Sequence, residues 1–297
     1  MGGMLSAQGR ALDVGCGNGA TLTAMSTLLN GWSFSGHELG DDALPRLARI
    51  PRFEKLYTGP LNAIDGHFDL VTMIHSLEHF PSPAKELTDL LPIVGSGNLF
   101  IEVCNIEENP FDILVADHLM HFSPTTLARL LHRCGFAPVL TATDWVPKEI
   151  SALFHADVRS GLQTQPAIDC APNFVEEVFR RISGYVAWLQ EMTHSVSEHA
   201  RRSALGVFGT SIAATWIASQ LGSRIEFFID EDESRIGKMH MGRPVLHPRD
   251  VPPHATVYFA LTPRIATMIS DRLSAYHWNR VLPPESGVEC CLGRVIN

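Results

Sequence analysis

The sequence predicts an α/β protein with two parallel-sheet domains, and three observations support this fold class. Over the first 140 residues, short apolar runs alternate with longer amphipathic stretches, which is typical of β-α-β units. A long helical pattern follows, and the same alternation begins again near residue 204. In each half the first apolar run leads into a turn containing glycine, RALDVGCGNGA (10–20) and LGVFGTSIAA (205–214).

In the first half, apolar runs predict the strands and helical spacing of apolar residues predicts the helices. The predicted strands are Arg10–Val14, Trp32–His37, Phe68–Ile74, Asn98–Val103, Pro138–Trp145 and Ile150–Ala156. The predicted helices are Ala20–Leu29, Pro83–Leu91 and Pro124–Cys134. Ser123 suits the N-cap of the last of these helices, and Gly135 suits its end.

In the second half, residues 160–172 read as a linker, and a helix follows over Phe174–Arg201. Further predicted elements are strands Ala204–Phe208, Ile225–Ile229 and Val257–Leu261, and helices Ile212–Leu221 and Arg264–Tyr276. The chain is therefore expected to contain a first α/β domain at 1–158, a linker and helical connector at 159–202, and a smaller α/β domain at 203–297.

Composition excludes several classes of protein. Of the 297 residues 45% are hydrophobic, but no apolar run reaches the roughly 20 residues of a membrane span. The net charge of −9 argues against a nucleic-acid binder, since neutralising phosphates requires a basic face. We expect no signal sequence and, because the six cysteines form no C-x-x-C pair, we expect cytoplasmic thiols, Cys290–Cys291 included, rather than zinc knuckles or disulfides.

The first glycine turn suggests a ligand site. Gly15, Gly17 and Gly19 are spaced two apart, which differs from the G-x-G-x-x-G spacing of the dinucleotide fingerprint. Glu38 ends the second predicted strand, where a carboxylate can accept both hydroxyls of an adenosine ribose. From these residues alone a dinucleotide, a phosphate and a simple turn all remain possible.

Further motifs narrow this choice. With LDVGCGNG, Glu38, FDLV…LEH and GNLFIEV in this order, residues 9–158 resemble the class I S-adenosylmethionine-dependent methyltransferases. The resemblance implies a Rossmann-like sheet of seven strands with S-adenosylmethionine across the carboxyl ends of strands one, two and four. It implies the following cofactor-binding residues: Asp13, Gly15, Cys16, Gly17, Gly19, Glu38, Leu39, Ile74 and His75, with 59–61 beside the adenine. This family usually has a helical lid before strand one, so we expect the cofactor site here either to close more loosely or to be completed by another segment.

The loop after the fifth strand resembles that of deoxysugar C-methyltransferases, which also carry a second Rossmann-like domain after a helical connector. The resemblance rests on DHLMHFS, the following helix and Cys-Gly-Phe. The Tyr-His-Glu-His motif of that family is reduced here to Val115, Ala116, Asp117 and His118, and PKEIS (147–151) replaces a glycine-rich turn. The zinc module of that family is absent from this sequence.

Four residues are therefore candidates for the acceptor side: His118, Asp117, His75 and His79. His118 suits a general base or an acceptor-binding group, although a structural histidine is the alternative. We predict no metal site, because three ligands within five residues, as in Asp117, His118 and His121, rarely converge.

The second glycine turn presents Gly209, Ser211 and Ala214, and Asp230 follows where a ribose ligand is expected. A Rossmann-like scaffold with a degenerate loop is favoured over a nucleotide site, because Ser211 replaces the glycine that admits a pyrophosphate. Lys238, Arg243 and Arg264 are candidates for an acceptor phosphate, with solvated surface charge as the alternative.

The sequence therefore predicts a methyltransferase that uses S-adenosylmethionine on a small polar acceptor, a sugar or nucleotide-sugar derivative, by C- or O-methylation. No nucleic-acid or membrane partner is expected, and a homo-oligomer is possible. Two alternatives remain: a non-catalytic methyltransferase-like binding module, and an NAD-dependent oxidoreductase that uses the C-terminal domain.

Overall fold

The computed structural model of the chain describes residues 5–156, 173–202 and 204–285. The chain divides into two compact units, residues 1–169 and 170–297. The predicted linker at 160–172 and the pair Cys290–Cys291 lie outside the described residues. Within the described ranges, no helix is both long and apolar enough to cross a membrane.

The first unit is a seven-stranded sheet with helices on its faces, which confirms the predicted fold class. Its strands are β1 (Gly9–Val14), β2 (Trp32–Glu38), β3 (Phe53–Thr58), β4 (Leu70–Ile74), β5 (Asn98–Cys104), β6 (Phe136–Ala142) and β7 (Glu149–Ala156). Its helices are α1 (Ala20–Leu28), α2 (Leu44–Leu47), α3 (Pro83–Val94) and α4 (Pro124–Arg133). The strand order is β3-β2-β1-β4-β5-β7-β6.

The sheet order determines where a ligand can bind. β1 pairs in parallel with β2 on one side and with β4 on the other, and the strand order reverses between β1 and β4. In open α/β sheets the crevice outside the carboxyl ends of the strands at such a switch point is the usual ligand site. β7 is antiparallel to both β5 and β6, so the start of β7 lies beside the end of β5.

Apolar side chains cover both faces of this sheet. On one face, Leu90 of α3 and Leu131 of α4 pack with Val71 and Leu99 of the sheet, all with 0% exposure. On the other face, Leu22 of α1 belongs to a second cluster with Trp32 and Phe34. These two apolar layers bury both faces of the sheet. The polar side chains of the candidate site therefore lie in the loops and strand ends at its carboxyl edge.

Three differences from the sequence prediction have local causes. β3 was not predicted, because it is an edge strand whose Glu54 and Lys55 are exposed and interrupt its apolar pattern. α3 continues to Val94 with Pro92 inside its last turn, three residues beyond the predicted end. β6 begins at Phe136 and tolerates Pro138 because it is the other edge strand, where a missing N–H costs little.

The second unit is a smaller α/β sheet. Its elements are α5 (Phe174–Ala200), β8 (Leu205–Phe208), α6 (Ile212–Leu221), β9 (Ile225–Ile229), β10 (Met239–His240), β11 (Arg243–Leu246), β12 (Thr256–Phe259), α7 (Pro263–Arg272) and β13 (Asn279–Val281). The order is β10-β11-β9-β8-β12-β13, and only β10 pairs antiparallel among these strands. α5, expected as a connector, is bonded within this unit, where Trp188 Nε1 donates to the carbonyl of Pro284 at 2.9 Å.

Candidate active site

The turn after β1 is built by three glycines with positive φ. Gly15, Gly17 and Gly19 have φ of 75°, 50° and 81°, a region that favours glycine. A Cβ on Gly15 would lie 2.6 Å from Cβ of Ser76, so the turn packs directly against the loop that follows β4. A Cβ on Gly17 would face open space, with the nearest atom, Glu38 Oε1, 4.0 Å away. The turn therefore leaves room at Gly17 for a ligand to approach the backbone.

Glu38 lies at the end of β2, opposite this turn. Its Oε1 accepts a hydrogen bond from the Gly17 N–H at 2.6 Å, and its Oε2 accepts one from the Leu39 N–H at 3.0 Å. An ionised carboxylate offers about four lone-pair sites, so Glu38 retains acceptor capacity for two hydroxyl groups. The side chain of Leu39, predicted beside the adenine, is 95% exposed at the same corner.

Two of the predicted cofactor residues lie behind the turn. Asp13 is 2% exposed, and its Oδ1 accepts a hydrogen bond from Thr72 Oγ1 at 2.6 Å. Burial, opposed by this hydrogen bond and reinforced by the charge of Glu38, raises the pKa of Asp13 to about 7. Burial also raises the pKa of the Cys16 thiol to about 12. These side chains support the turn from the protein interior and do not line its open space.

The remaining predicted cofactor residues surround the same edge of the sheet. Ile74 is the last residue of β4, and it lines an apolar groove with Phe100 and Leu153. Residues 59–61, expected near the adenine, follow β3, where the carbonyl of Gly59 is 2.8 Å from His37 Nε2. The structure thus brings the predicted donor-side residues to the carboxyl ends of β1, β2 and β4.

His75, the residue after β4, is the first of the predicted acceptor-side residues. It has φ of 48°, which is unusual for a residue with a side chain and typical of functional positions. Its Nδ1 lies 3.5 Å from Glu78 Oε1 and 3.9 Å from Glu149 Oε2, and its Nε2 lies 4.0 Å from Glu102 Oε1. These are ion-pair separations longer than normal hydrogen bonds. The contact with Glu78, together with the other carboxylates and against the effect of burial, raises the pKa of His75.

His118 and His121 share one buried carboxylate. Their Nδ1 atoms lie 2.6 Å from Asp112 Oδ1 and Oδ2 respectively, and Asp112 is 1% exposed. Burial works to raise the pKa of Asp112, but the hydrogen bonds from His121 and His118 outweigh it and lower that pKa. Because an ionised carboxylate only accepts hydrogen bonds, each Nδ1 carries the proton and the Nε2 of His118 can accept one.

Asp117 and His79 take a different arrangement. The side chain of Asp117 is largely exposed. Within the described residues it forms no hydrogen bond or ion pair with His118, its neighbour in the reduced motif. His79 Nδ1 instead lies 3.0 Å from the carbonyl of Asp117, and its ring meets that of His118 edge to face at 4.9 Å between centroids. The carboxylate that supports His118 is therefore Asp112, in a segment that the sequence patterns did not single out.

Sequence reasoning also missed Glu78, Glu102, Cys104 and Glu149. Glu78 stands in the LEH motif, which was read as a family signature, and Glu149 stands in PKEIS, which was read only as a departure. The signal that could have found Glu102 and Cys104 is the polar character of the last residues of β5, since residues at the carboxyl ends of strands meet at one edge of a sheet.

In the second unit, the carboxylate expected to bind a ribose has partners of its own. Asp230 Oδ2 accepts a hydrogen bond from Thr210 Oγ1 at 2.5 Å, and Arg235 Nη1 lies 3.4 Å from the same oxygen. A Cβ on Gly209, with φ of 98°, would meet no atom within 4 Å. Arg243 donates through Nε to the carbonyl of Ile225 at 2.7 Å, so it is engaged in the fold.

Four other residues predicted for this region belong to helices and turns. Ser211 is the N-cap residue of α6 without a side-chain capping bond, Ala214 is buried in that helix, and Arg264 lies in the first turn of α7. Lys238 lies in the turn before β10, where its carbonyl accepts from the Val245 N–H.

A family described as a methyltransferase domain matches residues 1–141. The ubiquinone biosynthesis O-methyltransferase of Burkholderia multivorans is 30% identical over 161 residues, which cover 49% of this chain and 68% of that protein. This chain belongs to the class I S-adenosylmethionine-dependent methyltransferases.

Other similarities each cover about half of this chain. The protein of the same printed name from Burkholderia vietnamiensis is 29% identical over 150 residues, 46% of this chain and 63% of that protein. Relatives of this kind are therefore matched over about two thirds of their own length or slightly less. Among solved structures, the mitomycin 7-O-methyltransferase MmcR has a TM-score of 0.46 and 18% identity over 51% of this chain and 50% of that one.

S-adenosylmethionine is the cofactor of this family, and the donor side of the methyltransferase fits it. The open space at Gly17 admits a ligand to the backbone, and Glu38 offers a carboxylate to a ribose at the same corner.

Proposed function

We propose that the methyltransferase transfers the methyl group of S-adenosylmethionine to a hydroxyl oxygen of a small-molecule acceptor. The observation that carries this proposal is the pair formed by Asp112 and His118, in which the carboxylate binds Nδ1 and leaves Nε2 able to accept a proton. The loop that holds this pair is bound to the loop after β4, since the N–H groups of Leu119 and Met120 donate to the carbonyl of Glu78. The printed names of the relatives, O-methyltransferases, support oxygen as the acceptor atom.

On the donor side, Glu38 would accept hydrogen bonds from the ribose hydroxyls, and the turn at Gly15–Gly19 would hold the amino-acid part. When bound, S-adenosylmethionine supplies an electrophilic methyl group on a sulfonium whose leaving group is a neutral thioether. The main requirement on the protein is then to hold the acceptor oxygen in line with the carbon–sulfur bond.

On the acceptor side, His118 would accept the hydroxyl proton at Nε2 as the oxygen forms its bond to the methyl carbon. The carbon–sulfur bond breaks in the same step, and its electron pair stays on sulfur. Asp112 holds the imidazole in the required tautomer and stabilises the positive charge that develops on it. Positioned general bases of this kind contribute roughly 100-fold to 10,000-fold in rate.

The nature of this base favours a phenolic hydroxyl. Histidine has an ordinary pKa near 6.5 and a phenol one near 10, so proton transfer from a phenol is far less uphill than from an aliphatic alcohol. A sugar-like hydroxyl, the acceptor expected from the sequence, is the second class, and there the neighbouring carboxylates would need to assist.

The test is methyl transfer from radiolabelled S-adenosylmethionine to a panel of catechols, other phenols and nucleotide sugars. We expect His118→Gln to lower kcat by about 100-fold or more while the affinity for S-adenosylhomocysteine stays within about twofold. His132→Gln, on α4, is the matched control and should behave like the wild type. Full activity in His118→Gln would contradict the proposed base, and a wild-type chain that binds the cofactor product but labels no acceptor would favour the non-catalytic alternative.

A further inference from the structure

Four side chains beyond the general base converge at the acceptor edge. β5 and β7 pair antiparallel with Cys104 opposite Glu149, so these two side chains share a face of the sheet. Glu102, two residues before Cys104, lies on the same face and accepts a hydrogen bond from Ser151 Oγ at 2.7 Å. The His75 N–H donates to the carbonyl of Glu102, which places the imidazole over this edge.

This cluster carries more negative charge than the described residues neutralise. Glu78 is 1% exposed, and neither of its carboxylate oxygens has a hydrogen-bond partner within the described part of the chain. Glu149 Oε2 is buried without such a partner as well. A buried carboxylate is costly unless it is paired or coordinates a metal. The His75 imidazole lies 3.5–4.0 Å from three carboxylates, the His118 imidazole lies within 4.8 Å of Glu78, and Lys148 is next to Glu149 in sequence.

We propose that His75, Cys104 and Glu149 bind a divalent cation of the zinc class. Their donor atoms all lie within 4.8 Å of one another; Cys104 Sγ is 3.8 Å from Glu149 Oε1, and His75 Nδ1 is 3.9 Å from Glu149 Oε2. Ligand atoms around a tetrahedral zinc ion, with bonds of about 2.0–2.3 Å, lie roughly 3.5 Å apart, so small side-chain rotations complete the site.

The donor set selects the ion. One imidazole nitrogen, one thiolate sulfur and one carboxylate oxygen suit Zn²⁺, whereas Mg²⁺ and Ca²⁺ prefer oxygen alone. With Nδ1 as the ligand atom, the other ring nitrogen, Nε2, lies 4.0 Å from Glu102 Oε1, so Glu102 would orient the imidazole, as carboxylates commonly do for metal-bound histidines. Three protein ligands leave one position open, which is the arrangement of catalytic rather than structural zinc.

Cys104 also lies within 4.8 Å of donor atoms of Glu78 and His118. We assign the ion to the His75 set because Cys104 and Glu149 already contact each other across the strand pair. The role of the ion in methyl transfer rests on the proposed function: its open position would bind the acceptor oxygen and lower the pKa of that hydroxyl, with His118 as proton acceptor.

The experiment is titration of the metal-free full chain with Co²⁺, a spectroscopic substitute for Zn²⁺. We expect one saturable near-ultraviolet band from thiolate-to-cobalt charge transfer, which Zn²⁺ displaces. Cys104→Ser should abolish the band, and Glu149→Gln and His75→Gln should each weaken Co²⁺ binding at least about tenfold. Cys134→Ser, which removes a buried thiol that instead donates to the carbonyl of Ala84, is the matched control and should keep the band, as should His118→Gln.

X-ray absorption of the Zn²⁺-loaded wild type keeps the proposal testable even where a variant fails to fold. It should show one sulfur at about 2.3 Å together with nitrogen and oxygen ligands. The absence of a saturable band in the wild type, a band retained in a folded Cys104→Ser variant, or a zinc shell with no sulfur would overturn the proposal. Binding of S-adenosylhomocysteine by the metal-free chain is measured separately, so failure of the metal site is distinguishable from failure of the proposed methyl transfer.

Discussion

The space beside the backbone of Gly17 is open and would accommodate part of the cofactor. The residue has φ of 50°, and a Cβ there would point into open space beside Glu38. We expect Gly17→Arg to lower the affinity for S-adenosylhomocysteine by at least about 100-fold, because the side chain would occupy that space and the backbone would be strained.

A matched variant separates loss of the site from backbone strain. Gly209 has φ of 98° in the equivalent turn of the second unit, and a Cβ there also meets no atom within 4 Å. Gly209→Arg should therefore bind S-adenosylhomocysteine with wild-type affinity in calorimetry. Normal binding by Gly17→Arg would show that the donor site lies elsewhere.

Asp13 makes the stability of the first unit depend on pH. Its pKa is about 7 in the folded protein against an ordinary value of 3.8. At pH values between 3.8 and about 7, Asp13 keeps its proton in the folded state but has lost it in the unfolded chain. The free energy of unfolding therefore falls as pH rises through this range, and it levels off above it. In urea titrations at several pH values, Asp13→Asn should remove up to roughly 4 kcal/mol of this fall. Asp42→Asn, an exposed change, should retain the wild-type dependence.

At the scale of elements, α4 depends on its first turn. Ser123 Oγ accepts from the Thr126 N–H at 3.3 Å, and Thr126 Oγ1 accepts from the Ser123 N–H at 2.8 Å, which forms a capping box. Ser123→Ala should cost about 1 kcal/mol in the free energy of unfolding. Ser82 caps α3 without a side-chain hydrogen bond, so Ser82→Ala should change stability by much less in the same denaturation assay. Equal losses in the two variants would contradict the capping role.

The elements also show how far the sequence predicts this structure. β1, β4 and β5 were predicted to within two residues at each end. β1 and β4 each contain four consecutive buried residues, and β5 alternates buried and half-buried residues, which are two recognised strand patterns. β3, β10, β11 and β13 were missed, since an edge strand with exposed charged residues and strands of two to four residues carry little apolar signal.

The candidate site likewise contains some residues that the sequence predicts and others that it does not. The glycine turn and Glu38 could be recognised because both positions follow from local spacing after β1 and β2. The partnership of Asp112 with His118 could not, because the loop between β5 and α4 folds back on itself without periodicity. Cys104 and Glu149 meet only through the register of an antiparallel pair formed across 45 residues, which no motif encodes.

At the scale of the whole molecule, two similar α/β units differ in their glycine turns. The carboxylate of Glu38 accepts from the backbone N–H groups of Gly17 and Leu39 beside an open turn, whereas that of Asp230 is bound by the side chains of Thr210 and Arg235. We therefore expect the first unit to bind an adenosyl ligand and the second to act as a scaffold. The NAD-dependent alternative assigned the ligand to the second turn, so the two accounts predict different ligands for the same chain.

Calorimetric titration of the full chain with S-adenosylhomocysteine, and separately with NAD, tests this account most directly. We predict micromolar binding of S-adenosylhomocysteine at about one site per chain, and no binding of NAD, because the first turn lacks the dinucleotide spacing and the side chains of Thr210 and Arg235 occupy Asp230. Absence of S-adenosylhomocysteine binding at millimolar concentration, or binding of NAD in its place, would contradict the assignment of the donor site.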